Sequence, residues 1–176
     1  RTQMELGGKN PLIIMDDADL DLAVDLTVKG GLSLAGQACT GTSRVLVMKQ
    51  VRAEFTARLL ARVKAIRIGS GLTGGMEMGP LATAKQLETV LRYVAIGKRE
   101  ATHLHGGDRL AGAAYDGGYF VSPAIFTDVT QDMTIAREEI FGPVLSVLTF
   151  RTPDEAIAKA NNTPYGLSAG IWSDKG

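Results

Sequence analysis

The chain has one cysteine, Cys39, set among small and polar residues in Gly36-Gln37-Ala38-Cys39-Thr40. Upstream lies Glu5-Leu6-Gly7-Gly8-Lys9, and downstream lies Glu138-Glu139-Ile140-Phe141-Gly142-Pro143. A thiol is nucleophilic near neutral pH and forms acyl intermediates that a base and water can cleave. Free cysteine is more often simply packed in a core. Here Gly36, Gln37, Thr40, Gly41, Thr42 and Ser43 suit a loop at a sheet end. Such a loop offers backbone N–H groups to an oxyanion and can lower a thiol pKa from about 8.5. Local sequence leaves both readings of Cys39 open.

Glu5 read alone is a solvated acid. The Gly7-Gly8 pair behind it lets backbone approach a ligand closely, and a partly buried Glu can serve as general base. The spacing does not say whether Glu5 and Cys39 meet. Glu139 and Phe141 are either a charged helix end with a core aromatic, or a carboxylate for sugar hydroxyls with a ring beside a flat heterocycle. Ile140 and Pro143 stiffen that turn, which favours positioning.

Three further patterns lack the context their chemistry needs. His103 and His105 alternate on a short strand, on one side, without the third ligand of a metal site. Asp16, Asp17, Asp19 and Asp21 lack the glycine and closing Glu of a calcium loop, and Asp19 reads better as a helix cap. No metal site is expected. Gly69-Ser70-Gly71-Leu72-Thr73-Gly74 matches G-x-G-x-x-G. That fingerprint requires a preceding strand and an opening helix, whereas here a helix precedes and Gly75, Gly79 and Pro80 follow. It reads as a surface loop.

The elements that must position these residues alternate. Asn10 to Met15 is an apolar run and a buried strand. A helix starts near Leu20 with Asp19 as N-cap, showing Leu22, Leu26 and Gly30 on one side. Val45 to Met48 is a strand. Val51 to Ile66 is a helix with Val51, Phe55, Leu59, Val63 and Ile66 as its stripe. Thr83 to Arg99 is a helix with Leu87, Val90, Leu91 and Val94 inward. Thr102 to His105 is a short strand. Tyr119 to Phe126 is extended, with Pro123 marking a bend or an edge. Met133 to Glu139 is a short helix, Val144 to Phe150 a strand, Pro153 to Ala160 a helix and Leu167 to Trp172 a last strand. The alternation predicts an α/β fold with an open, mainly parallel sheet and helices on both faces.

The 176 residues are 45% hydrophobic and 22% charged, with nineteen basic and nineteen acidic side chains. That balance gives no reason to expect a nucleic-acid partner or a membrane surface, and no apolar stretch is long enough to span a bilayer. A single cysteine fits a reducing, cytoplasmic setting. The chain opens at Arg1 without an initiator Met and stops just past an apolar run, so a segment of a longer polypeptide is expected.

Taken together, the motifs resemble the aldehyde dehydrogenase superfamily. Glu5 to Pro11 is similar to its glutamate signature, Gly36 to Thr40 to its cysteine signature, and Glu138 to Val144 to its third motif. Asn161-Asn162-Thr163-Pro164-Tyr165-Gly166-Leu167 is similar to its fourth. The resemblance spans nearly the whole chain. It implies that residues 1–176 are a truncated catalytic domain, without the N-terminal dinucleotide-binding domain and C-terminal tail. It implies Cys39 as nucleophile and Glu5 as base. Glu139 would contact the ribose of NAD or NADP, with Phe141 beside the nicotinamide and Leu6 touching it through its backbone. Ala38 and Thr40 would line the pocket of a small-molecule aldehyde. The cofactor would be bound mostly by the missing domain, together with an oxyanion-holding Asn, so the segment alone should be inactive. The parent should be a homodimer or homotetramer. Competing readings are a relative that transfers the acyl group to coenzyme A or phosphate, which Glu5 disfavours, and a non-catalytic scaffold of the same fold.

Overall fold

The structure, a computed structural model, describes residues 1–174. In chain order it runs β1 (Asn10–Ile14), α1 (Leu20–Leu32), a 3-10 turn (Ser33–Gly36), β2 (Thr42–Met48), α2 (Arg52–Lys64), α3 (Ala84–Glu100), β3 (Thr102–His105), β4 (Ala124–Thr127), α4 (Thr134–Arg137), β5 (Val144–Phe150), α5 (Pro153–Asn161) and β6 (Gly170–Trp172). The strands form one sheet in the order β3-β4-β5-β2-β1-β6. Only the β3–β4 pairing is antiparallel.

Parallel strands need crossovers, and the sequence supplies amphipathic helices for them. Every residue of β1 is buried, as in a strand covered on both faces. Gly31 of α1 sits where a Cβ would meet Leu145 of β5, so α1 covers the Leu145 face. Arg44 of β2 pairs with Ser146, the next residue of β5, and therefore points to the other face. There its guanidinium reaches the end of α5. Helices thus cover both faces, as the sequence predicts.

Helix signals read well where polar chemistry sets them. Asp19 caps α1 by accepting from the N–H groups of Asp21 and Leu22, and Thr83 caps α3 by accepting from Gln86 N–H at 3.1 Å. Phe55, Leu59 and Val63 are the buried stripe of α2. In α1 the buried side is Ala23, Val24, Thr27, Val28, Gly31 and Leu32, and Leu22 is exposed. Gly31 lies inward where α1 approaches the sheet closely: a side chain there would overlap Leu145. Strand β4 starts only after Pro123, and it is an interior strand. Tyr119 and Val121 instead make isolated bridges to Leu81 and Arg109. A register shift separates His103 from His105, which breaks the alternation expected of them. His103 packs on Phe126. The Gly69–Gly74 segment follows α2, and the next helix opens only at Ala84, so it lacks the frame of a dinucleotide fingerprint. No helix among the described residues is long and apolar enough to cross a membrane.

Arg44 is only 2% exposed. Its Nε donates to the Lys9 carbonyl, and Nη1 and Nη2 donate to the Lys159 and Ala160 carbonyls, each at 2.8 Å. It therefore satisfies the last carbonyls of α5 and ties them to the start of β1. Arg44→Met is expected to lower the unfolding free energy by about 3 kcal/mol, since it strands one buried and two part-buried acceptors. Arg99→Met, at an exposed site, should change it by no more than about 0.5 kcal/mol. Urea denaturation of both variants measures the contrast.

Candidate active site

Strands β5, β2, β1 and β6 are neighbours and mutually parallel, so their amino ends lie along one rim of the sheet. Each of the four motif segments precedes one of these strands. Glu5–Lys9 leads into β1, Gly36–Thr40 into β2, Glu138–Pro143 into β5 and Asn161–Leu167 towards β6. Residues more than a hundred positions apart are brought together by strand register alone.

Cys39 is exposed. It follows a 3-10 turn in which Leu34, Ala35 and Gly36 all have φ between 54° and 71°. Two consecutive non-glycine residues in the left-handed region are costly and persist only where the surroundings enforce them. A Cβ at Gly36 would overlap the Gly142 carbonyl, so the cysteine loop lies directly against the Glu139–Pro143 turn. Gly41 N–H donates to the Ala38 carbonyl at 2.9 Å. This closes a tight turn whose inner residues are Cys39 and Thr40, and its hydrogen bond does not use the Cys39 N–H. Strand β2 begins at Thr42, so Thr42 and Ser43 belong to the sheet and not to the loop expected there.

The turn is held from β1. Asn10 is buried, and its Nδ2 donates to the carbonyls of Cys39 at 2.8 Å and Gly41 at 2.9 Å. Its Oδ1 accepts from Ser168 N–H at 3.1 Å. Gln37 holds the other side: its Nε2 donates to the Leu34 carbonyl, and its Oε1 accepts from Ala82 N–H at 2.9 Å.

Glu139 is half-buried beside this turn. Its Oε1 accepts from Gly8 N–H at 2.9 Å. Gly7 approaches its Oε2 so closely that a Cβ would lie 2.6 Å away, and Tyr165 borders the same space. Gly8 packs against the Cys39 carbonyl, where a side chain would overlap. The Gly-Gly pair is therefore needed because backbone must fit between a thiol loop and a carboxylate. Phe141 is 38% exposed and has φ of 54°. Gln86 Nε2 holds its strained turn by donating to the Ile140 and Phe141 carbonyls at 2.9 and 2.7 Å.

Lys9 is 1% exposed, and its Nζ has no hydrogen-bond partner among the described residues. Burial pushes its pKa from 10.5 down to about 7, and Arg44 adds to the effect. Glu139 and Glu138 pull the other way. Glu138 is fixed by Tyr93, whose hydroxyl donates to it at 2.6 Å.

The structure thus groups Cys39, Ala38, Thr40, Glu139 and Phe141 at one rim. Ala38 is half-buried and Thr40 exposed. Glu5 and Leu6 are exposed in the segment before β1, and the Glu5 carboxylate accepts from Gln3 at 3.5 Å. Sequence reasoning missed Lys9, Asn10, Gln37, Arg44 and Gln86 as parts of the site. Lys9 and Asn10 carry a readable signal, being polar residues at the mouth of an otherwise apolar strand. Gln86 has none, since it looks like any polar position of an amphipathic helix. The described residues contain no cluster suited to a metal ion.

A family model described as "Aldehyde dehydrogenase family" matches residues 1–176. Betaine aldehyde dehydrogenase from Staphylococcus aureus, solved as a point mutant with NAD+, is 41% identical with a TM-score of 0.95, over 97% of this chain and 35% of that one. An aldehyde dehydrogenase from Bacillus cereus is 45% identical with a TM-score of 0.91, over 97% and 34%. A 3,6-anhydro-L-galactose dehydrogenase in complex with NADP is 40% identical with a TM-score of 0.93, over 97% and 36%. The chain spans about a third of the length of these structures.

Lys9 gives the site a signature in stability. Unfolded, its amine holds a proton up to about 10.5; folded, only to about 7. Between these values the unfolded chain binds more protons, so stability rises with pH across that window. Below pH 7 both states are charged and the full burial penalty is felt. Lys9→Met is expected to remove this rise, worth roughly 1.4 kcal/mol per pH unit within the window. Urea midpoints of both proteins at pH 7.5 and 9.5 measure it, and identical pH dependence would contradict the assignment.

Proposed function

The chain belongs to the aldehyde dehydrogenase family, and on that premise we propose that it carries the nucleophile and base of an NAD(P)-dependent enzyme that oxidises an aldehyde to a carboxylic acid. One observation carries the reading. Four motifs precede four adjacent parallel strands, and hydrogen bonds lace them together around an exposed thiol.

The Cys39 thiolate adds to the aldehyde carbon, and the carbonyl oxygen becomes an oxyanion. The Cys39 N–H, left over by its turn, is a donor to that oxygen. The adduct then loses its C–H hydrogen with the electron pair, which leaves a thioester on Sγ. A nicotinamide held beside Glu139 and Phe141 would supply the hydride acceptor. Glu5 takes a proton from water as the water oxygen adds to the thioester carbon. The C–S bond breaks, the carboxylic acid departs and the thiolate is restored. Ala38 and Thr40 flank the sulfur and leave room for the aldehyde.

The residues present fit a dinucleotide. Gly8 N–H occupies one oxygen of Glu139, and the other faces the space that Gly7 leaves free of side chain, so a ribose hydroxyl has an acceptor. The exposed Phe141 ring offers a flat apolar surface beside it. Residues 1–176 form most of the catalytic domain of a larger homo-oligomeric enzyme, with the adenosine half of the dinucleotide held elsewhere. Balanced charge and a single thiol suit a cytoplasmic setting.

In the enzyme, Cys39→Ser is expected to lower kcat by on the order of 10³-fold or more, since serine lacks thiolate nucleophilicity. Glu5→Gln should leave adduct formation intact and slow acid release by about 10²-fold. Glu139→Gln should raise the dinucleotide KM several-fold, with a smaller effect on the aldehyde KM. Steady-state and pre-steady-state NAD(P)H formation, with product identification in the presence of free coenzyme A, measures all three. Undiminished turnover by Cys39→Ser would reject the nucleophile.

A further inference from the structure

Asn10 is 4% exposed at the first position of β1. It uses every strong hydrogen-bonding capacity that the site offers it. Its two amide hydrogens go to two carbonyls of one four-residue turn, those of Cys39 and Gly41, and its oxygen is held by Ser168 N–H. The assignment of N and O is fixed by this network: reversing the amide would set its oxygen against two carbonyl oxygens and its hydrogens against an N–H.

The turn so held is short and already constrained. Gly41 N–H closes it on Ala38, and Gly8 packs against the Cys39 carbonyl and the Asn10 amide together. Pinning the Cys39 and Gly41 carbonyls fixes the Cys39–Thr40 and Gly41–Thr42 peptide planes, and the Gly41 N–H bond to the Ala38 carbonyl holds the Ala38–Cys39 plane that carries the Cys39 N–H. That leaves the thiol and the N–H of Cys39 a single backbone frame. Ser168 connects this frame to the segment between α5 and β6, whose Tyr165 borders Glu139.

We infer that Asn10 is a positioning residue for the nucleophile: by holding the Cys39 and Gly41 carbonyls, it sets the backbone that aims the Cys39 sulfur and N–H at one carbonyl group. It rests on the reading of Cys39 as nucleophile given above. Asn10 does not touch the aldehyde and exchanges no proton. Its contribution is geometric, and misplacement of a reacting group by about 1 Å can cost roughly 10²-fold in rate.

The test compares Asn10→Asp and Asn10→Ser in the enzyme. Asp replaces the donor with an oxygen facing two carbonyl oxygens. Ser keeps a small polar group in the same space but cannot bridge both carbonyls. The expected result is a kcat lower by about 10²-fold for Asp and about 10-fold for Ser, with dinucleotide affinity within a few-fold of the parent. The rate at which iodoacetamide alkylates Cys39 should also stay within a few-fold, because alkylation needs the sulfur but not its alignment with the N–H. Parent-like kcat in either folded variant would overturn the inference. So would parallel loss of kcat, dinucleotide binding and alkylation, which marks Asn10 as merely structural. Failure of the nucleophile reading itself shows differently, as activity retained in Cys39→Ser.

Discussion

Parallel pairing of β5, β2, β1 and β6 is the constraint on which the site depends. Once these strands lie side by side in one direction, whatever precedes each of them must appear on the same rim. Asn10 then locks the register of two of them at the working end, bonding across from β1 to the turn before β2 and accepting from the segment before β6. Gly8 does the same towards Glu139 before β5. Three consecutive residues, Gly8, Lys9 and Asn10, thereby join all four strands, and the Lys9 carbonyl accepts from Arg44, whose other donors reach the carbonyls at the end of α5.

The location is unusual for an open α/β sheet, where ligands commonly gather outside the carboxyl ends of the strands. Here the chemistry-bearing groups lie at the amino ends. Helices α1 and α5 reach this rim by their C-terminal ends and α3 by its N-terminal end, and these ends are among the supports of the site. Helix α3 is the chief one. Gln37 anchors the cysteine loop to Ala82 just before it, and Gln86 on its first turns holds the carbonyls of the Phe141 turn. Val90 fills the space that Gly142 leaves. The left-handed residues Leu34, Ala35 and Phe141 cost on the order of 1–3 kcal/mol each and sit where these supports converge. Strain beside the proposed nucleophile is tolerated because the surrounding hydrogen bonds over-determine it.

Much of this was legible in the residues. Strand β5 and the capped start of α1 follow from a hydrophobic run and from Asp19, because their causes are local. The cysteine, the Gly7-Gly8 pair and Glu139 stand out because their types are wrong for a simple core. What stayed hidden depends on distance. The need for Gly31 on the buried face of α1 is set by how near Leu145 lies, which no helical period reveals. The bulge separating His103 from His105 belongs to the pairing with β4. Arg44 reads as a lone charge in a strand, and only α5 folding back gives its three donors their acceptors. The exposure of Glu5 likewise depends on what surrounds the segment before β1.

The central claim is that Cys39 becomes covalently acylated during turnover. Acid-quenching the enzyme within a single turnover, with aldehyde and dinucleotide present, and mapping the digested protein by mass spectrometry tests it directly. The account predicts an acyl increment on the peptide containing Cys39, formed and lost at rates competent for acid production. Acid appearing while that peptide stays unmodified at every time point would contradict it.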